Sequence, residues 1–233
     1  MDYRQISLNP QPGSLSRTGF YRFSRSIVGF LMRTYIPTTI RGTEHIPSEG
    51  GVIIASNHLS VLDVPLLGYA IGREARFPAK PELFTREILS RFLLSLGGFP
   101  ITRGEGDRKA LSFSEQVLRQ GGILSIFPEG TRSRDGVVHS FHRGVALLAM
   151  SAGVPIVPAA IWGSDRSFPP GASIPRPARI FISFGPPEWP EPLSSDPVKK
   201  KEASLHLTER TRERVCRLLE SCRTEEGRQA PPG

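Results

Sequence analysis

The sequence predicts an α/β fold with a mostly parallel central sheet flanked by helices. From residue 38 onward, apolar runs rich in β-branched residues alternate with runs of helical periodicity. This alternation is typical of parallel strands that are joined by crossover helices. The length of 233 residues is enough for one domain with a buried core and some peripheral segments.

The first 37 residues are predicted to form a separate N-terminal region. Residues 1–18 carry Asn, Pro, Gly and Ser and are predicted to be a flexible lead-in. On a helical wheel, one face of residues 19–35 is basic and carries Arg22, Arg25, Ser26 and Arg33. The opposite face carries Phe20, Phe23, Ile27, Phe30 and Leu31. Such a segment is either an interfacial helix at a membrane surface or an ordinary helix packed on the core.

Seven strands and four helices are predicted for the main domain, residues 38–190. The strand candidates are 38–43, 51–56, 74–79, 98–102, 122–127, 155–162 and 178–184. The helix candidates are 64–72, 86–96, 107–120 and 143–152. Residues 164–177 and 185–201 are rich in Pro, Gly and Ser, which predicts surface loops.

The remaining C-terminal region, residues 191–233, is predicted to contain a charged helix over 203–222 followed by a disordered tail. The apolar contacts predicted for this helix are Leu205, Val215, Leu218 and Leu219.

The composition favours an anionic partner. The formal net charge is +8, which suits a phosphorylated substrate, an anionic membrane or a nucleic acid. The two cysteines, Cys216 and Cys222, lack matching histidines, so neither a zinc site nor a disulfide framework is predicted, and a reducing, cytoplasmic setting is expected. The first residues lack a signal-peptide pattern, and no window reaches the roughly 20 apolar residues of a membrane span. Any membrane attachment is therefore predicted to be peripheral.

Asn57, His58 and Asp63 lie in a turn between a strand candidate and a helix candidate. The apolar run 51–55 precedes them, and a helix-like run with Pro65 in its first turn follows. Open α/β sheets place ligand sites at such turns. His58 can take a proton near neutral pH, and Asp63 can hold the other ring nitrogen and stabilise the imidazolium. Alternatively, Asp63 only caps the helix and Asn57 only satisfies the backbone of the turn.

Two further turns follow other strand candidates. The segment 96–103 contains glycines and ends in Arg103, which is either an ordinary surface residue or a bidentate ligand for a phosphate. The segment 154–158 is bracketed by prolines, and a structural entry into a strand is its simpler interpretation.

The segment after the strand candidate 122–127 offers groups for an anion. Gly130 permits an unusual backbone angle, and Thr131 and Arg132 offer hydrogen-bond donors to an oxyanion. Glu129 is predicted to pair with an arginine or to orient a substrate hydroxyl.

These blocks, in this order and spacing, resemble the lysophospholipid acyltransferase family, typified by 1-acyl-glycerol-3-phosphate acyltransferase. The catalytic, second, third and fourth blocks of the family resemble 57–63, 97–103, 127–132 and 154–158. Lys80-Pro81-Glu82-Leu83-Phe84 resembles the family's K-x-E-L segment, and 141–144 resembles its F-K-x-G, with His142 in place of the lysine. Pro100 stands where an aromatic residue is often found. The resemblance covers residues 35–185.

The resemblance implies transfer of a fatty acyl group from acyl-CoA or acyl carrier protein to lysophosphatidate or a related lyso-lipid, without a cofactor or metal. In this comparison His58 is the general base, Asp63 its partner, and Lys80, Arg103 and Arg132 hold the acceptor phosphate. The chain has no Gly-x-Ser-x-Gly elbow, which agrees with direct attack on the thioester. Because such substrates lie in the bilayer, the protein is expected on the inner face of the cell membrane.

Other functions remain open at this point. A nucleic-acid-binding module would explain the charge, but the sequence has no recognition-helix motif or RNP-like strand, so no nucleic acid is expected. A non-catalytic membrane protein would keep the amphipathic helix without needing both His58 and Asp63. A transacylase or an acyltransferase for another lyso-lipid or polar acceptor is the nearer alternative, because the catalytic block does not encode the acceptor.

Overall fold

The computed structural model describes residues 19–101 and 108–229, which form a seven-stranded sheet with helices on both faces. The strands are β1 Thr38–Arg41, β2 Val52–Ser56, β3 Ala75–Ala79, β4 Gly98–Pro100, β5 Ile123–Ile126, β6 Ile156–Trp162 and β7 Ile180–Phe184. The helices are α1 Gly19–Thr34, α2 Asp63–Ala70, α3 Glu87–Ser95, α4 Arg108–Arg119, α5 Gly144–Ala152, α6 Ser164–Ser167 and α7 Pro197–Gln229. Each predicted strand is present, whereas α6 lies inside a predicted loop.

The strand order is β1-β7-β6-β2-β5-β3-β4. Strands β2 to β6 are mutually parallel, β7 is antiparallel to β6, and β1 is parallel to β7. The predicted α/β fold with a mostly parallel sheet is therefore confirmed. The carboxyl ends of five strands meet at one edge of the sheet, which is where ligand sites of open α/β sheets lie.

Strand β2 lies in the middle of the sheet and is buried on both faces. Val52 and Ile54 pack into the core on the side of α2, while Ile53 and Ala55 pack on the side of α4 and α5. All four are fully buried, which explains why this strand is a continuous apolar run and not an alternating one. Each large aliphatic side chain buried in this way contributes about 1.5–3 kcal/mol. The turn that follows β2 therefore starts from a firmly held strand.

Helix α1 packs on α2 by its small and basic residues. Gly29 lies so close to α2 that an added Cβ would be 2.4 Å from the ring of Tyr69. Arg25 donates hydrogen bonds to the carbonyls of Gly68 and Tyr69 at 2.8 and 3.1 Å. Arg33 donates to the hydroxyl of Tyr69 at 2.7 Å. The basic face predicted from the sequence therefore fixes the helix to the protein.

The apolar face of α1 points away from the sheet. Five large apolar residues on this face are exposed in the described chain: Phe20, Phe23, Ile27, Phe30 and Leu31. The exposed fractions of Phe23 and Phe30 reach 63% and 65%. Helix α1 does pack on the core through Met32 on its other face, so the described structure leaves the stripe itself without a core partner. Among the described residues, no helix is both long and apolar enough to cross a membrane.

The prediction for the C-terminal helix is wrong in its bounds and in one contact. Helix α7 begins at Pro197, inside the predicted loop 185–201, and continues past residue 222 to Gln229. Leu205 is exposed, and Leu207 packs into the core in its place. The other predicted contacts are correct, because Val215 and Leu219 are buried and Leu218 packs beside them. The predicted lead-in, 1–18, lies outside the described residues.

The last turns of α7 dock beside the carboxyl end of β6. The guanidinium groups of Arg166 and Arg223 both lie over the ring of Trp162, at 5.1 and 4.7 Å from its centroid. Its Nε1 donates to Glu226 at 2.7 Å. Arg223 also donates to the carbonyl of Gly136 at 2.6 Å. Helix α7 therefore holds part of the segment that follows β5.

Candidate active site

Asn57 extends the pairing between β2 and β6 by one residue. Its Nδ2 donates to the carbonyl of Ile161 at 2.9 Å, and its Oδ1 accepts the N–H of Ile161 at 2.8 Å. The side chain takes the place of a strand's main chain, so its partner is β6 and not the turn backbone. This pair of bonds fixes the direction in which the chain leaves the sheet toward His58.

His58 and Asp63 are in direct contact. Asp63 Oδ2 accepts a hydrogen bond from His58 Nδ1 at 2.7 Å and from the N–H groups of Leu59 and Ser60 at 2.7 and 2.8 Å. A carboxylate can only accept at this contact, which favours the neutral tautomer with the proton on Nδ1 and the lone pair on Nε2. The Asp63 side chain is fully buried, whereas 17% of the His58 side chain is exposed. Asp63 therefore does more than begin a helix, since it orders the turn and orients the ring.

The segment after β5 makes three contacts with His58, one with its ring and two with its main chain. The ring of Phe127 stacks on the imidazole with the centroids 4.0 Å apart and the planes inclined by 15°. The N–H of His58 donates to Glu129 Oε1 at 3.3 Å, and the N–H of Ser133 donates to the His58 carbonyl at 2.7 Å. None of these contacts was predicted. The aromatic residue directly before Pro-Glu-Gly is the one signal that could have suggested the stacking.

Glu129 is buried, and its partners differ from those predicted. Both carboxylate oxygens accept main-chain N–H groups, Oε1 from His58 and Oε2 from His139, the latter at 3.0 Å. Burial raises the pKa of the Glu129 carboxyl, and the two N–H bonds and the nearby histidines lower it in part. The sequence instead predicted an arginine or a substrate hydroxyl as the partner.

The other predicted binding residues lie at the carboxyl edge of the sheet. Gly130 has a φ of +70°, as its predicted unusual angle requires. Its N–H donates to the Phe127 carbonyl at 3.0 Å, so it is not free to bind an oxyanion. Thr131 and Arg132 follow β5, Lys80 follows β3, and all three are exposed.

Arg103 lies outside the described residues. His142, which stands in place of the family's lysine, is exposed, and its N–H donates to the Pro128 carbonyl at 2.9 Å.

A polar cluster braces the loop beyond Arg132. Asp135 Oδ1 accepts hydrogen bonds from Ser133 Oγ at 2.8 Å and from the N–H of Val137 at 3.1 Å, and lies 3.0 Å from His139 Nε2. These bonds lower the pKa of the Asp135 carboxyl to about 2. The only sequence signal is Ser-x-Asp-Gly, which is typical of any turn. Across the described residues, no group of three or more His, Cys, Asp or Glu side chains could hold a metal ion.

A model of a known protein family matches the part of the chain that contains this site. The acyltransferase family model matches residues 37–162, which include both the His58 turn and the segment after β5. The chain belongs to the acyltransferase family. The family predicted from the sequence blocks is thereby confirmed, and the protein is an acyltransferase enzyme.

Individual relatives are similar over most or part of the chain. The 1-acyl-sn-glycerol-3-phosphate acyltransferase of Bacillus subtilis (strain 168) is 26% identical over 199 residues, which is 85% of this chain and 96% of that protein. The chloroplastic 1-acyl-sn-glycerol-3-phosphate acyltransferase LPAT1 of Arabidopsis thaliana is 32% identical over 136 residues, 57% of this chain and 38% of that protein. The crystal structure of the 1-acyl-sn-glycerophosphate acyltransferase PlsC from Thermotoga maritima superposes with a TM-score of 0.63 at 28% identity, covering 85% of this chain and 78% of that one.

Proposed function

We propose that this acyltransferase moves a fatty acyl group from a thioester, acyl-CoA or acyl carrier protein, to the free hydroxyl of lysophosphatidate, which gives phosphatidate. The proposal rests on the 2.7 Å contact between His58 Nδ1 and Asp63 Oδ2, which leaves Nε2 able to take a proton. The relatives from B. subtilis and A. thaliana, both named 1-acyl-sn-glycerol-3-phosphate acyltransferases, support lysophosphatidate as the acceptor.

The chemistry requires one base and no acyl-enzyme. The acceptor oxygen attacks the thioester carbonyl carbon while His58 Nε2 takes the hydroxyl proton. The carbonyl then reforms, the C–S bond breaks, and the leaving thiolate takes the proton from His58. Asp63 stabilises the imidazolium between these two transfers. Holding acceptor and donor side by side at His58 lowers the barrier further by orientation.

Cations around the site would hold the acceptor phosphate. Lys80 and Arg132 follow β3 and β5, which are neighbours in the sheet, and both side chains are exposed. No carboxylate among the described residues forms a salt bridge with either of them. Arg103, which follows β4 in the chain, is proposed as a third ligand from its place in the second block. Arginine suits this role because its guanidinium can bind two phosphate oxygens at once.

Helix α1 is proposed to bring the enzyme to its lipid substrate on the inner face of the cell membrane. Its five exposed apolar residues form a continuous face, which is more than a helix normally leaves in water. A bilayer interface accommodates this face at the level of the lipid headgroups. The hydrogen bonds from Arg25 and Arg33 to α2 hold the helix in the orientation that presents it.

An acyl-transfer assay tests the proposed reaction. The purified full chain is incubated with radiolabelled oleoyl-CoA and a panel of lyso-lipids, and the products are separated by thin-layer chromatography. We expect the largest transfer to lysophosphatidate, and we expect His58→Ala to lower kcat by about 10²–10⁴ without changing the melting temperature. His206→Ala, at an exposed histidine of α7, is the control and should behave like the wild type.

Two outcomes would contradict the proposal in different ways. Transfer only to another lyso-lipid would replace the acceptor and keep the mechanism. Full activity of His58→Ala with a normal melting temperature would remove His58 as the base.

Liposome sedimentation tests the proposed role of α1. Phe23→Glu with Phe30→Glu should release the protein from anionic liposomes and lower activity on vesicles, while activity on a detergent-dispersed short-chain acceptor persists. Val198→Glu with Leu205→Glu is the matched control, because these are exposed apolar residues of another helix. If the α1 variant still sediments with anionic liposomes at low salt, α1 is not the anchor.

A further inference from the structure

The main chain of His58 is bonded on both sides to the segment after β5. Its N–H donates to Glu129 Oε1 at 3.3 Å, and its carbonyl accepts the N–H of Ser133 at 2.7 Å. The face of its ring rests on Phe127. Only the bond from Nδ1 to Asp63 comes from the His58 turn itself. The position of the proposed base His58 is therefore set largely by the segment after β5, the strand next to β2 in the sheet.

Among the residues after β5 that contact His58, Glu129 is the one with an acidic side chain. Glu129 is 6% exposed, and its carboxylate joins the His58 turn to a later part of its own loop, because it also accepts the N–H of His139 at 3.0 Å. Burying a carboxylate is costly unless its oxygens receive hydrogen bonds, and here each oxygen receives one from a main-chain donor. Both oxygens of Glu129 are therefore engaged by the main chain, and neither is placed to bind a substrate. An amide cannot replace the carboxylate, since its NH₂ group would face one of the two N–H donors.

The geometry points to Glu129 as a positioning residue that fixes the His58 main chain, whereas Arg132, three residues later, contacts the acceptor. This inference rests on the proposed acyl transfer. Proton transfer from a bound hydroxyl requires the base within hydrogen-bond reach, and a displacement of about 1 Å can cost 10²-fold in rate. Loss of one oxygen of the carboxylate would free the His58 N–H and permit such a displacement.

Steady-state kinetics separate positioning from binding. For Glu129→Gln we expect kcat to fall about 10- to 100-fold with the acceptor KM changed less than about twofold. For Arg132→Ala we expect the acceptor KM to rise with a smaller change in kcat. Glu202→Gln, at an exposed glutamate of α7, is the matched control and should leave both parameters unchanged. A rise in acceptor KM at constant kcat for Glu129→Gln would make Glu129 a binding residue and overturn the inference.

A double-mutant test asks whether Glu129 acts through His58. In the His58→Ala background there is no base to position, so adding Glu129→Gln should lower the remaining rate by less than about twofold. An equal loss in both backgrounds would overturn the inference, because Glu129 would then act independently of His58. The test is distinct from that of the proposed function, which fails if the wild type transfers no acyl group or if His58→Ala stays fully active.

A second variant keeps the inference testable if Glu129→Gln does not fold. Phe127→Leu removes the ring that stacks on His58 but keeps an apolar side chain of similar length. We expect it to lower kcat in the wild-type background and to add less than about a twofold loss to His58→Ala. Equal losses in the two backgrounds would show that the segment after β5 does not position His58.

Discussion

Replacing Asp63 by Asn separates the charge of this side chain from its hydrogen bonds. Asp63 Oδ2 accepts three hydrogen bonds, from His58 Nδ1 and from the N–H groups of Leu59 and Ser60. An Asn amide oxygen can accept the same three bonds, so the turn should keep its shape. The negative charge beside the imidazole is lost. We therefore expect a chain that folds normally and transfers acyl groups slowly.

The size of the effect follows from the 2.7 Å separation between Nδ1 and Oδ2. Two unit charges at this distance attract by about 6 kcal/mol at an effective dielectric constant of about 20. The oxygen of a neutral Asn still accepts the Nδ1 hydrogen bond and keeps part of this attraction, so about 3–5 kcal/mol of imidazolium stabilisation is lost. Since about 1.4 kcal/mol corresponds to a factor of ten, kcat should fall roughly 10²- to 10⁴-fold.

The assay compares kcat and the melting temperature of the variant with those of a control at an ordinary helix cap. Asp196 precedes α7 and accepts the N–H of Val198 at 2.8 Å, so Asp196→Asn tests capping alone and should change neither quantity much. If Asp63→Asn retains full kcat, the charge is not used and Asp63 only orders the turn. If kcat and the melting transition are lost together, Asp63 serves folding before catalysis.

Two further predictions use the buried titratable groups. Burial raises the pKa of the Cys222 thiol to about 12, so at pH 8 it should react with a thiol reagent far more slowly than the partly exposed Cys216; equal rates in the native protein would contradict this. Burial also raises the pKa of the Glu129 carboxyl above its usual value of 4.5. Above that pH the folded state keeps a proton that the unfolded state loses, so the free energy of unfolding falls as the pH rises toward the pKa of the folded state. The melting-temperature advantage of the wild type over Glu129→Gln should therefore be larger near pH 4.5 than near pH 7. A difference that is independent of pH would show that the Glu129 charge carries no such cost.

Local sequence patterns were sufficient to predict the strands and the proximity of His58 and Asp63 in the turn after β2. The continuous apolar run of β2 requires burial on both faces, and burial on both faces requires a central position in the sheet. The spacing of His58 and Asp63 is short enough that a single turn brings the two side chains together. The carboxyl-edge location of Lys80 and Arg132 then follows from parallel strands alone.

The errors concern contacts between residues far apart in the chain. Glu129 and His58 are separated by 71 positions, and their contact depends on β5 lying next to β2, which no local pattern encodes. In α7, Leu205 and Leu207 have the same intrinsic preferences, and only the way the helix packs on the sheet decides which of them is buried. The helical wheel of α1 correctly separated its basic face from its apolar face. It contains no information on tertiary contacts, so the binding of the basic face to α2 could not be predicted from it.

The docking of α7 also gives the protein two optically distinct tryptophans. Trp162 has two guanidinium groups over its ring and a carboxylate at its Nε1, whereas 63% of Trp189 is exposed. Acrylamide therefore reaches the indole of Trp189 more readily than that of Trp162. Once Trp189 is replaced by Phe, the intrinsic fluorescence of the chain comes from Trp162 alone, since the sequence contains only these two tryptophans. That emission reports whether the last turns of α7 remain against the loop beside the active site.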